Sequence, residues 1–219
     1  MFKSKLLLSA VIGLSSLLAV NVSHAADYEE GKHYSVISDK ATNVDIKEYF
    51  SAYCPHCEKA EPYVVSARKR IRSTEKKEYS FERSHVSFLG GVPKSSQKFL
   101  TSSIILSDEL GKQDEYVEFL FHKIHKENIR LVTPEDIQVV MTEFGFTEDQ
   151  INNEMVSTRI MDKTSAFVKE QESLVREGKI KGVPSFVVKG KYLINLSGID
   201  SSKFSEDLAN LIVYLKEKG

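Results

Sequence analysis

The sequence predicts an α/β protein in which a helical insertion divides one α/β domain into two parts. Residues 43–88 read as strand, helix and strand, residues 94–177 carry helical periodicity with almost no strand signal, and strand patterns return after residue 180. We place the first α/β part at residues 26–88, the helical insertion at 89–164, and the second α/β part, with its connecting helix, at 165–219.

The first α/β part begins with an alternation of period two, which is typical of a strand. One face of this strand carries four residues: Val44, Ile46, Glu48 and Phe50. A helix is predicted over residues 55–72 because Pro55 suits its first turn and basic residues close it. Strand-like alternation returns over residues 79–88. Strand, helix and strand in so short a span predict two parallel neighbouring strands.

The insertion shows apolar stripes at helical spacing. One stripe has members at i, i+3, i+4 and i+7: Ile137, Val140, Met141 and Phe144. Thr133 and Asp136 precede it in the arrangement of a capping box, with Pro134 at the first helical position. Such a stripe can line a cofactor pocket, but a helix core is its commoner use, and we expect no bound cofactor.

The second α/β part is predicted to contain a hairpin and a final helix. Strands over residues 185–188 and 191–196 flank the turn residues Lys189 and Gly190. The last helix is marked by four apolar residues at helical spacing: Leu208, Leu211, Ile212 and Leu215.

The N-terminus has the features of a secretory signal peptide. Lys3 and Lys5 precede an apolar stretch over residues 6–22, and the sequence Ser23-His24-Ala25 offers small residues for cleavage after Ala25. An uncleaved membrane anchor is the alternative. No later stretch reaches the roughly 20 apolar residues of a membrane span, so we expect a soluble, monomeric mature chain in an oxidising periplasm.

Composition excludes several classes of protein. The net charge is −1 without a polybasic block, which argues against a nucleic-acid binder. The chain has only two cysteines, so a disulfide-dense scaffold and a four-cysteine zinc site are both excluded. We expect no metal.

The two cysteines form the motif Cys54-Pro55-His56-Cys57 at the predicted strand-to-helix junction. Residues i and i+3 lie on nearly the same helical face, so their sulfurs can form a disulfide without backbone movement. Unpaired amides at the helix start, together with His56, favour a thiolate at Cys54. A stabilised thiolate stabilises the reduced form, which makes the disulfide oxidising. Cys54 is therefore the predicted nucleophile and leaving group, and Cys57 the resolving thiol.

Two other interpretations of the motif stay open. One is an inert structural disulfide, and the other is half of a metal site. The remaining candidate ligands show no spacing that brings two of them to this turn: His33, His85, His122 and His125.

Two residues outside the motif are also informative. Glu48 lies on the apolar face of the first strand, where a carboxylate needs a cation or a raised pKa, and Arg83 is its predicted partner. We expect Glu48 to handle the proton of Cys57; a partly exposed ion pair is the alternative. Pro184 enters a strand after Val183, so it marks an edge or a special turn, or simply a loop proline.

Together, these segments closely resemble the DsbA family of bacterial periplasmic oxidases. The resemblance is carried by the Cys54–Cys57 motif after residues 48–51, by residues 84–91 (SHVSFLGG), by Gly182-Val183-Pro184, and by the mature start at residues 26–34. It implies a thioredoxin-like domain, with a central mixed sheet flanked by helices, interrupted by the helical insertion. It also implies a cis-Pro184 and donation of the Cys54–Cys57 disulfide to unfolded secreted proteins.

The resemblance further implies reoxidation by a quinone-linked inner-membrane partner of the DsbB type. That partner and the substrates would share an apolar groove, whose members carried over by position are Pro55, His56, His85, Phe88, Leu89, Val183, Pro184 and Leu196. The chain departs from the family pattern at Arg83, where a Lys is usual, and at Leu196, which replaces a groove proline.

Three other functions remain as alternatives. A reductase or isomerase would use the same chemistry, although this chain lacks room for the N-terminal dimerisation domain of periplasmic isomerases. A peptide-binding module would use the groove without the thiols. A metal-binding protein would hold zinc in its reduced form.

Overall fold

The computed structural model describes residues 28–74 and 79–219. Its sheet has five strands: β1 (Tyr34–Val36), β2 (Ile46–Phe50), β3 (Phe81–His85), β4 (Ser185–Val188) and β5 (Tyr192–Ile194). The strands lie in the order β1-β5-β4-β2-β3. The predicted signal peptide, residues 1–25, lies outside the described residues.

The sheet is mixed, as predicted. β2 and β3 are parallel neighbours, with Glu48 opposite Arg83 in the register. The other neighbouring pairs, β2–β4, β4–β5 and β1–β5, are antiparallel. The parallel pair is connected by α1 (Pro55–Thr74), so the predicted strand–helix–strand unit is confirmed. This unit places the start of α1 at the carboxyl end of β2.

Four helices follow β3 before the sheet resumes: α2 (Lys94–Glu109), α3 (Gln113–His125), α4 (Pro134–Phe144) and α5 (Thr158–Arg176). A single π-helical turn, Gln150–Glu154, lies between α4 and α5. The chain ends with α6 (Phe204–Lys218), which packs against α1 on one face of the sheet. The predicted helical insertion and the predicted final helix are both confirmed.

Local sequence signals account for the ends of several elements. Thr133 and Asp136 form the predicted capping box of α4, with Pro134 in its first turn, and Gly145 ends the helix in a left-handed conformation with φ 104°. The turn between β4 and β5 has positive φ at Lys189 (54°) and Gly190 (66°). These values match the hairpin turns that suit the right-handed twist of strands.

The structure refines the predicted elements in two ways. Strand β1 was not predicted, since three residues show no alternation and their partners on β5 lie about 160 residues away in sequence. The predicted insertion boundary at residue 164 falls inside α5, which is one continuous helix. Apolar residues of α5 also pack in a core that includes Phe50 of β2 and Cys57 of α1. No helix within the described ranges is long and apolar enough to cross a membrane.

Candidate active site

The Cys54-Pro55-His56-Cys57 motif lies where β2 gives way to α1. The Cys54 amide donates to the Ser51 carbonyl at 3.0 Å, and the Cys54 carbonyl accepts the first helical bond, from the Glu58 amide, at 3.1 Å. Cys54 is thus the residue that caps α1, and Pro55 is its first helical residue. Pro55 has no N–H to leave unpaired at this position. The thiol at the helix start is in the position predicted from sequence.

The two thiols are free, so the structure describes the dithiol form. Cys54 is 8% exposed and Cys57 only 2%, while Pro55 and His56 between them are exposed to solvent. Burial is the main cause that raises the pKa of Cys57 above its ordinary value. The negative charges of Cys54 and Glu48 act in the same direction. Cys54 is therefore the more accessible of the two thiols, and the raised pKa of Cys57 favours its protonated form.

The loop before β4 brings Pro184 to the cysteines. The Val183–Pro184 peptide bond is cis, as the resemblance implied. The Cys54 thiol lies 3.6 Å from the Val183 carbonyl oxygen, which can accept a weak hydrogen bond from it. Two segments about 130 residues apart in sequence therefore meet at the reactive sulfur.

Glu48 is buried and paired with Arg83, which confirms the predicted partner. Arg83 Nε lies 2.8 Å from Glu48 Oε2. Neither atom makes a well-directed hydrogen bond, so this contact is an ion pair without full hydrogen-bond alignment. Burial raises the pKa of Glu48 to about 7, although the Arg83 charge acts in the opposite direction. The carboxyl group can therefore gain or lose a proton near neutral pH.

The sequence analysis missed the second carboxylate of this network, Glu61 on α1. The two terminal guanidinium nitrogens of Arg83, Nη1 and Nη2, donate to Glu61, at 2.9 and 2.6 Å. The local sequence does not indicate that Glu61 is buried, because the burial of a charged residue on a helix depends on what that helix packs against. On the far side, Asp114 of α3 lies 3.7 Å from Arg83 and makes a short ion pair with Arg68. The network thus reaches from the sheet into the helical insertion.

His85 requires a correction. We expected it in the surface groove, but the structure buries it completely. Its Nδ1 lies 3.0 Å from Thr101 Oγ1 and its Nε2 lies 3.4 Å from Ser51 Oγ. Burial lowers the pKa of His85 to about 3, so the ring is neutral at physiological pH. As the last residue of β3, His85 points into the junction between sheet and insertion and supports the loop before Cys54.

Two glutamines, which no motif in the sequence indicates, hold the end of β3 and the chain that follows it. Gln171 of α5 donates to the His85 carbonyl and the Ser84 hydroxyl, each at 2.8 Å. Gln97 of α2 donates to the carbonyls of Leu89 and Val92. Polar residues at helix positions that face the core are the signal that could have found them.

The insertion also holds the active-site loop directly. His125 of α3 contacts the Ala52 carbonyl oxygen at 2.8 Å, and the Tyr53 hydroxyl donates to the Leu131 carbonyl at 2.7 Å. Lys126 pairs with Glu58 in the first turn of α1 at 2.6 Å. The backbone before Cys54 is therefore fixed by residues of the insertion as well as by its own strand.

A cleft of about 730 Å³ opens beside the motif, and we call it the active-site cleft. Four of the predicted groove residues line it: His56, Val183, Pro184 and Leu196. Phe88 and Leu89 do not line it; they are partly buried and pack in the cluster that also contains Val183. Leu196 lies in a short 3-10 turn after β5 instead of within the predicted strand.

The described residues contain no group of three or more His, Cys, Asp or Glu side chains that could hold a metal ion. His122 and His125 of α3 point to different partners. The first lies 3.3 Å from Glu127 on the surface, and the second contacts the active-site loop. The geometry of this site is that of a dithiol at a helix start, with a buried ion-pair network behind it.

Comparison with known proteins gives a consistent result. The DSBA-like thioredoxin domain family matches residues 45–209. The thiol:disulfide interchange protein DsbA of Haemophilus influenzae is 30% identical over 216 residues, which cover 98% of this chain and 99% of that protein. DsbA of Escherichia coli K12 is 28% identical over 212 residues, covering 94% and 97%.

Solved structures agree with these sequence matches. DsbA from Klebsiella pneumoniae aligns with a TM-score of 0.70 and 28% identity, over 87% of this chain and 98% of that one. A Cys-to-Ser variant of Proteus mirabilis DsbA, in complex with the non-covalently bound peptide PWATCDS, aligns with a TM-score of 0.71 and 26% identity, over 88% and 100%. The thioredoxin-like fold with its helical insertion is thereby confirmed. Because the family match covers most of the chain, and the cysteine pair lies at the helix start within it, the chain belongs to the DSBA-like thioredoxin family as a thiol:disulfide interchange protein.

Proposed function

We propose that this protein oxidises newly exported proteins by donating the Cys54–Cys57 disulfide through a mixed disulfide at Cys54. The observation that carries the proposal is the contrast between the two thiols. Cys54 lies at the start of α1 and contacts Val183 of the active-site cleft, whereas Cys57 is the more deeply buried thiol and lies in the field of Glu48. The unpaired amides of a helix start favour negative charge, which suits Cys54 as the leaving thiolate.

In the proposed reaction, a substrate thiolate attacks Cys54 Sγ of the oxidised protein. The Cys54–Cys57 bond breaks, and Cys57 leaves as a thiolate that takes up a proton. A second substrate thiolate then attacks the substrate sulfur of the mixed disulfide and displaces Cys54 as a thiolate. The substrate has lost two electrons and gained a disulfide, and the protein is left as the dithiol.

Glu48 is the proposed proton carrier for Cys57. Its raised pKa lets it hold a proton near neutral pH and give it to the Cys57 thiolate when the disulfide opens. During reoxidation it would take that proton back as Cys57 attacks a mixed disulfide at Cys54. Arg83 keeps the ionised form of Glu48 tolerable inside the protein.

Several further assignments belong to this proposal. The substrates would be unfolded secreted proteins held as extended segments in the active-site cleft, where His56, Val183, Pro184 and Leu196 line the wall. A DsbB-type quinone-linked membrane partner would restore the disulfide. The protein would act as a periplasmic monomer after cleavage at Ala25. The proposed domain division is residues 26–88, 89–164 and 165–219, with α5 continuing across the second boundary.

The proposal is tested by the redox equilibrium of the mature protein in graded glutathione buffers. Trapped thiols are counted by alkylation, because the chain has no Trp to report the state by fluorescence. We expect the Cys54–Cys57 pair to be reduced even in fairly oxidising buffers. A pair that stays oxidised until the buffer is strongly reducing would instead indicate a reductase or a structural bridge.

A second measurement separates an oxidase from a peptide-binding module. Disulfide transfer to a reduced dithiol peptide should vanish in Cys54→Ser, whereas peptide binding should survive. Transfer that persists in Cys54→Ser would remove Cys54 from the mechanism.

A further inference from the structure

The active-site cleft is lined by both apolar and basic side chains. The apolar ones on β1, β5 and the loops that follow them are partly or fully exposed: Val36, Ile37, Leu193 and Leu196. The loop between α5 and β4 contributes Lys179 and Lys181. The cleft therefore offers apolar and basic contacts from different segments of the chain.

The charge of the lining is one-sided. Among the described residues, the lining contains Lys179, Lys181 and His56 but no Asp or Glu. Lys179 is partly neutralised, because its Nζ lies 2.7 Å from Glu177 Oε2. Lys181 is exposed and makes no ion pair with any other residue in the described part of the chain. A bound segment would thus meet at least one uncompensated positive charge.

The two lysines lie close to Val183 along the chain, and Val183 contacts the reactive sulfur. Lys181 comes two residues before Val183, whose carbonyl oxygen contacts the Cys54 thiol. Two residues of extended chain span at most about 7 Å. Consider a substrate segment that presents a cysteine to Cys54 and runs beside residues 181–184. Its side chains two to four residues from that cysteine would then lie near the lysines.

We propose that the active-site cleft selects substrate segments in which carboxylate side chains lie two to four residues from the reactive cysteine. An apolar residue in the same segment would pack on the apolar side chains of the cleft. This inference rests on the proposed oxidase function and specifies its substrate class. The lysines attract an acidic segment before the sulfurs meet, so the effect belongs mainly to the association rate and weakens with added salt.

The test uses three synthetic dithiol peptides that differ only at two positions, two and four residues from the reactive cysteine. These positions carry Glu, Gln or Lys. The oxidised protein is mixed with each reduced peptide, and kcat/KM for disulfide transfer is measured by alkylation and mass spectrometry. We expect the Glu peptide to react about three to ten times faster than the Gln peptide at low salt, and the Lys peptide to react more slowly than both.

The ratio of Glu to Gln rates within one protein is the readout, so a change in overall activity does not disturb it. The ratio should fall toward one in the double variant Lys179→Gln/Lys181→Gln and in 0.5 M salt. Lys112→Gln is the matched control: it removes the same charge from an exposed residue before α3 and should keep the wild-type ratio.

The outcomes are distinct. Equal rates for the three peptides, or a Glu preference that survives in the double variant, would overturn the selection of acidic segments and leave the oxidase intact. Absence of transfer to all three peptides would overturn the proposed oxidase function itself.

Discussion

Glu48 and Cys57 show how a side chain's chemistry depends on burial more than on residue type. The thiol and the carboxyl group are both nearly inaccessible, and in both cases burial is the largest cause that raises the pKa. The charged forms of both groups are therefore costly in this buried region. Arg83 offsets this cost for Glu48. The pKa of His85 is lowered by burial in turn, so its ring is neutral.

The first prediction concerns proton transfer by Glu48. Attack of Cys57 on a mixed disulfide between Cys54 and glutathione should speed up as pH rises through about 7, because Glu48 becomes a carboxylate that can accept the proton. In Glu48→Gln, the rate at pH 7.5 should fall about tenfold or more, and the step near pH 7 should disappear. Stopped-flow release of glutathione between pH 5.5 and 9 measures both effects.

Glu82→Gln provides the control for that measurement. Glu82 lies on β3, one residue before Arg83, but pairs with Lys47 away from the cysteines. Its substitution should leave the pH profile unchanged. An unaltered profile in Glu48→Gln would show that Glu48 is only a buried ion-pair partner.

At the scale of elements, the helical insertion supports the active-site loop in addition to covering the sheet. Ala52, Tyr53 and Glu58 each contact a residue at the end of α3 or in the segment after it. That segment leads directly into α4, whose capping box begins at Thr133. The stability of α4 therefore bears on the loop that carries Cys54.

The second prediction concerns this capping box. Thr133→Ala removes the hydroxyl that accepts a hydrogen bond from the Asp136 amide at 3.2 Å. The substitution should lower the free energy of unfolding by about 1 kcal/mol. Thr142→Ala is the matched control within the same helix, and it should be neutral or slightly stabilising because Ala is the better interior helix former. Urea denaturation of both variants measures the difference. Equal losses would mean that the cap adds no stability.

Some elements are predictable from sequence and others are not, depending on whether the interactions that form them are between residues close together in the chain. The start of α1, the α4 cap and the hairpin turn were predicted because their signals lie within a few residues. β1 was not, because its three residues become a strand only by pairing with β5. Glu61, Gln97 and Gln171 escaped for the same reason: their partners lie on other elements. The prediction for His85 was wrong because the resemblance over residues 84–91 gives its position in the chain but does not show whether its side chain is buried or exposed.

At the scale of the whole molecule, Arg83 joins four elements. Its own strand β3, Glu48 on β2, Glu61 on α1 and Asp114 on α3 meet at one guanidinium group. A lysine, with one nitrogen, could not make the paired contact to Glu61 while also facing Glu48. The arginine thus connects the carboxyl group beside Cys57 with both the sheet and the insertion.

The third prediction follows from this connection. Arg83→Met leaves Glu48 and Glu61 buried without their cation, so at pH 7.5 it should cost about 3–5 kcal/mol of unfolding free energy. When the pKa of a carboxyl group is higher in the folded than in the unfolded protein, the folded state loses stability as pH rises from the unfolded pKa to the folded one. Without Arg83, the pKa of Glu48 rises further, so this loss becomes larger. The cost of Arg83→Met should therefore be clearly smaller at pH 5, where Glu48 takes up a proton.

Guanidinium denaturation at the two pH values tests this dependence, with Arg70→Met as the control. Arg70 pairs with Glu206 at the surface, with both side chains nearly half exposed, so its loss should cost no more than about 1 kcal/mol at either pH. If Arg83→Met does not fold at pH 7.5, folding of this variant at pH 5 shows the same dependence on pH. Arg83→Lys, which keeps the positive charge, should fold at both pH values. A cost for Arg83→Met that is the same at pH 5 and 7.5 would show that packing of the side chain, and not its charge, is what the buried carboxylates require.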